Sequence, residues 1–94
     1  MTDREVLEQI ARVKRAHKTA LTRAATWEAQ ETKKAWTFFR GADTDVEQTN
    51  RENALARIAQ NVEKRLFRAQ SNYEERLSEI RREAGEWIDL VPEA

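Results

Sequence analysis

Two apolar rows with the same 3-4-4 spacing flank the tetrapeptide Arg40-Gly41-Ala42-Asp43. The first passes through Ile10, Val13, His17, Leu21, Ala24, Glu28, Thr32, Ala35 and Phe39. The second passes through Leu55, Ile58, Val62, Leu66, Ala69, Tyr73, Leu77, Ile80, Ala84 and Ile88. Eleven residues over three turns is about 3.67 per turn, close to a free α-helix, so each row holds one face of a nearly straight helix. The pattern predicts an all-α chain built as one long antiparallel helical hairpin.

Similar chemistry marks both helix starts. Thr2-Asp3-Arg4-Glu5 and Thr44-Asp45-Val46-Glu47 each fit a capping box, in which the Thr oxygen accepts from the third helical N–H and the Glu reaches back to the cap. Gly41, directly after Arg40, suits a left-handed C-terminal cap. The first helix is therefore expected over about 3–40, the turn over about 41–44, and the second helix from about 45. So short a connection forces the helices to be antiparallel neighbours. The far end has two solutions. Gly85 closes the second helix near 84 and leaves a short tail, or it is tolerated at about 1 kcal/mol and the helix runs to 91, before Pro92.

The width of the apolar faces points to assembly. On a helical wheel Val6, Leu7, Ile10, Val13, Ala20, Leu21, Ala24, Trp27, Phe38 and Phe39 spread over roughly 160°, more than one partner helix covers. The second helix has a narrower arc of roughly 120°, with Phe67 well outside it. Trp36 lies at the rim of the first helix's face. Two helices alone also leave most of each cylinder wet. A dimeric four-helix bundle or a larger helical assembly is expected. Val6, Val13, Ala20 and Trp27 form a seven-residue row beside the 3-4-4 row and are the expected partner interface, joined by Trp36, Phe38, Phe67, Trp87 and Leu90.

Composition narrows the class. With 94 residues, no Cys, two Gly, one Pro and 36% charged residues, the chain reads as a single helix-prone domain without disulfides, which fits the cytoplasm. No apolar run approaches the roughly 18 residues of a spanning helix, and Met1-Thr2-Asp3-Arg4-Glu5 lacks a signal peptide's apolar stretch. Residues 1–40 carry nine Lys/Arg against five Asp/Glu, while residues 41–94 carry eight against twelve. A basic half followed by an acidic half favours mutual pairing over capture of a polyanion. Exposed pairs contribute only about 0–1 kcal/mol each, so they bias orientation without holding the fold.

Candidate chemistry is sparse. His17, the only histidine, sits near the centre of the first apolar face and reads as a core or interface residue. With no Cys, no second His and no Glu-x-x-His pair, neither a metal centre nor another cofactor is expected. No nucleophile is spaced to meet a base, so an enzyme is not expected either. Near the turn the rows become polar, with Glu28, Glu31 and Thr32 opposite Gln48, Arg51 and Glu52. If paired positions sum to about 84, Arg51 lies near Lys33 and reaches Glu31, pinning the register; alternatively this end is solvated and splayed.

Two further functions stand beside assembly. Arg12, Lys14, Arg15, Lys18 and Arg23 form a basic segment, and an RNA-binding helical-hairpin dimer is the main rival, although these residues spread over half the cylinder without interleaved aromatics. Glu86-Trp87-Ile88-Asp89-Leu90 resembles the short motif that binds ubiquitin-like autophagy modifiers. That resemblance implies an adaptor in which Trp87 and Leu90 fill two pockets of the modifier. The leading expectation remains a non-enzymatic protein–protein assembly module, an adaptor or scaffold whose partner is itself or another helical protein.

Overall fold

In the computed structural model, which describes residues 2–84, the chain forms helix α1 (Asp3–Phe38) and helix α2 (Asp45–Ala84). They pack as an antiparallel hairpin measuring 64 × 16 × 16 Å, with no strand among the described residues. Gly85 with its two helix endings, Trp87 and Leu90 lie outside the described residues.

The helix starts follow the caps read from the sequence. Thr2 Oγ1 accepts from the Glu5 N–H at 3.3 Å, and Thr44 Oγ1 accepts from the Glu47 N–H at 3.1 Å. The Glu47 carboxylate reaches back and accepts from Asp43 at 3.3 Å, one residue before the cap. At the other side of the turn α1 stops at Phe38, two residues short of the expected Arg40. The Phe39 N–H still donates to Ala35 O at 3.0 Å, but Arg40 donates to Thr37 O at 3.3 Å, a tighter loop that unwinds the last turn. Gly41 follows in the left-handed region at φ 77°. Ala42 then donates to Phe39 O at 3.2 Å and accepts from Gln48 Nε2 at 3.4 Å. A reversal this rich in hydrogen bonds sets where each arm begins.

Burial is unevenly distributed along the seam. At the open end Val6, Ile10 and Val13 of α1 meet Ile80 of α2 in an aliphatic cluster, with Tyr73, Leu77 and Ala84 packed against it. Further along, the buried residues are Ala24 and Ala35 of α1 and Val62 and Ala69 of α2. Alanines let the helices approach closely but bury little area, and a fully buried Val or Ile contributes about 1.5–3 kcal/mol. Most of the hydrophobic stabilisation therefore sits at the end away from the turn.

The two arms keep different periods. In α2 the expected row is half-buried or buried from Leu55 to Ala84, with only Leu66 left exposed. In α1 the row in contact is instead Val6, Ile10, Val13, His17, Ala20, Ala24, Trp27, Glu31 and Ala35, a 4-3 alternation up to Glu31. A seven-residue row falls about 20° short of whole turns, so the contact face walks around α1 toward Ala20 and Trp27. Leu21 and Glu28, expected inside, are left exposed by this drift.

The register also differs from the expected sum of about 84. His17 stacks on Tyr73, Trp27 carries Arg65 and Trp36 carries Arg51, pairs that sum to 90, 92 and 87. Side chains on a helix lean toward its N-terminus. In an antiparallel pair one set leans away from the turn and the other toward it, so contacting residues sum to more than the turn's midpoint implies. Arg51 consequently lies over the Trp36 ring at 4.7 Å rather than on Glu31, whose carboxylate pairs with Lys34 Nζ at 3.3 Å.

A Cβ added at Gly41 would meet nothing within 4 Å, so only the backbone opposes it. Gly41→Ala should lower the unfolding free energy by about 1–2 kcal/mol, the cost of a left-handed alanine, as measured by urea titration.

Candidate interaction surface

A two-helix seam has two long edges, and here they differ. One edge is grooved. Ala16 and Ala20 in α1 and Asn72 in α2 are short, and they open a cleft of about 640 Å³ whose mouth carries Arg12, Arg76, Glu75 and Glu79. A second cleft of about 300 Å³ continues past Gln9 and Glu83 toward the open end. Near the turn, Phe38, Phe39, Asn50 and Arg57 line a third of about 310 Å³. Between them the Arg65 guanidinium lies 4.3 Å from the Trp27 ring, bridging the edge. Such a contact contributes about 0.5–1 kcal/mol at an exposed site.

The other edge is smooth and apolar. Leu7 and Leu21, fourteen residues apart and so on one row of α1, are 49% and 37% exposed. On α2 Leu66 is 40% exposed, and Phe67 beside it is 73% exposed. Trp36, 51% exposed, extends this edge toward the turn. Polar borders flank the leucines: Lys18 on α1, and on α2 Glu52, Glu63 and Glu74, which recur every eleven residues and therefore share one line.

The expected interface residues are thus divided. Val6 and Val13 are buried in the hairpin's own aliphatic cluster, which corrects their placement on a free surface. Ala20 and Trp27 are half-buried on the grooved edge, and Phe38 lies at that edge's tip, its ring 4.8 Å from Phe39. Only Trp36 and Phe67 sit on the smooth edge. Leu7, Leu21 and Leu66 take the place of the valines. The seven-residue row had signalled the contact face of α1 itself, and the signal for the free edge was the pair of leucines it leaves behind.

His17 lines the cleft of about 640 Å³. Its ring stacks on Tyr73 at 4.3 Å with an interplanar angle of 23°, and its Nε2 is buried without a hydrogen-bond partner among the described residues. Among the described residues no group of three or more His, Asp or Glu is placed to hold a metal ion. No described helix is long and apolar enough to cross a membrane.

An unpartnered buried nitrogen costs about 1–3 kcal/mol of desolvation. His17→Leu should therefore raise the melting temperature at neutral pH. Val13→Asp, by contrast, puts a carboxylate into the aliphatic cluster and should unfold the hairpin itself, read as loss of helical circular dichroism.

Compared with known proteins, the chain matches no family model, and no curated protein and no solved structure shows significant similarity to it.

Proposed function

We propose that the chain is a non-enzymatic assembly module that joins helices along its smooth edge. The observation that carries this reading is the set of large apolar side chains, Leu7, Leu21, Leu66, Phe67 and Trp36, exposed along one edge of a hairpin whose seam is closed by Val6, Ile10, Val13 and Ile80. Contiguous exposed apolar patches rimmed by charge mark interaction surfaces, whereas single exposed leucines do not. A hairpin with one buried stripe per helix also gains much of its stability by covering a second.

The rival RNA-binding reading draws less support from the placement of the charges. Arg12 stands at a cleft mouth that also carries Glu75 and Glu79, while Lys18 belongs to the opposite edge. Backbone phosphates would meet no continuous basic track of the kind that steers them. The docking motif at Trp87 and Leu90 lies outside the described residues and remains a separate adaptor proposal.

Light scattering tests the assembly reading. The parent chain should show a molar mass above its 11.0 kDa monomer. Leu21→Asp combined with Leu66→Asp should return it to the monomer with helicity kept, because both side chains are exposed in the hairpin. A parent that stays monomeric at ~100 μM, far above the low-micromolar range of ordinary complexes, would overturn the reading. RNA titration at ~150 mM salt should show no binding whose affinity falls steeply with added salt.

A further inference from the structure

We infer that the smooth edge is covered by a second copy of this chain, related by a two-fold axis parallel to the hairpin's long axis, with α1 of each copy against α2 of the other and both turns at the same end. The inference rests on the assembly reading above and specifies its partner.

Heights along the hairpin are fixed by the ring contacts. His17 and Tyr73 stand level, so Lys18, one residue nearer the turn, and Glu74, one residue farther from it, differ in height by only about 3 Å. Trp27 and Arg65 stand level, which places Leu66 and Phe67 within one residue of the height of Ala25 and about 6–7.5 Å, a little over one turn, from that of Leu21. Trp36 and Arg51 place Glu52 beside the Trp36 layer. A two-fold axis along the rod preserves height. It therefore sets Leu21 and Ala25 of one copy against Leu66 and Phe67 of the other, and Lys18 against Glu74. Glu74 already accepts from Gln70 Nε2 at 3.1 Å, which orients its carboxylate on this edge.

The competing arrangement has its axis across the rod and inverts heights. It lays α1 on α1 and α2 on α2, so that the acidic line of Glu52, Glu63 and Glu74 on one copy faces the same acidic line on the other. Like charges opposed in an interface are selected against. It also sets parallel-charged α1 arms together, each with nine Lys/Arg and five Asp/Glu over residues 1–40. The rod-parallel axis makes every neighbouring helix pair antiparallel, the common packing of four-helix bundles. Its least favourable contact is Glu28 near Glu63 of the other copy, which the symmetry also repeats, and the leucine layer beside it outweighs two exposed like-charge pairs.

The chain has no cysteine, so introduced thiols report proximity without background. Lys18→Cys and Glu74→Cys chains, prepared separately, mixed and oxidised, should give the mixed disulfide as the major cross-linked species, while each chain alone stays uncross-linked. Charge reversal gives a second readout. Lys18→Glu should weaken self-association about tenfold, because the symmetry repeats the contact, and mixing with Glu74→Lys should restore it. A dimer in which Lys18→Cys cross-links to itself, or in which neither thiol pair joins, overturns the arrangement and leaves the assembly reading standing. A parent that never exceeds monomer mass overturns both.

Discussion

The contact of Ile80 with Val6, Ile10 and Val13 is what closes the hairpin. The turn holds the arms together covalently at one end, where packing is thin, and the aliphatic cluster holds them at the other, where no covalent tie exists. Between these two points Ala24, Ala35, Val62 and Ala69 are buried, and half-buried Leu55 and Ile58 with a series of ring contacts keep the helices aligned. Small residues bring the backbones close, and the rings of His17, Trp27 and Trp36 then reach across to Tyr73, Arg65 and Arg51. The register is thus set by aromatic side chains and the turn together, while the free energy comes mainly from the open end.

Closing one stripe determines what remains outside. Because α1 meets its partner through a seven-residue row and α2 through an eleven-residue row, the contact face of α1 moves toward the grooved edge and withdraws from Leu21. Leucines that a shared period would have buried become the surface of the other edge. The exposed apolar patch is a consequence of mismatched periods, and the acidic line at Glu52, Glu63 and Glu74 borders it because α2 keeps the eleven-residue spacing.

Much of this was legible in the sequence. The two helices, the caps at Thr2 and Thr44, the glycine reversal and the α2 row all follow from local chemistry, and local chemistry decided them. The α1 row was not legible, because Val6, Val13, Ala20 and Trp27 overlap the 3-4-4 row and either set makes an acceptable stripe. Which one faces α2 depends on the partner helix and not on α1. Arg51 was expected at Glu31 from a register sum of about 84, but the lean of helical side chains carries it to Trp36. An exposed apolar face was expected, and its position was misjudged for the same reason: an arc wider than one partner needs shows that something is left over, without showing which side.

The location of the aliphatic cluster has a mechanical consequence. Thr2 and Ala84 both stand at the rod's open end, beside Val6 and Ile80, and the turn lies at the far end of a 64 Å body. Tension applied between Thr2 and Ala84 therefore peels the arms apart one layer at a time, and the first layer to bear the load is the best packed. Once that latch opens, the alanine layers behind it offer less resistance, so the hairpin yields abruptly, as a clasp does, with little gradual stretch beforehand.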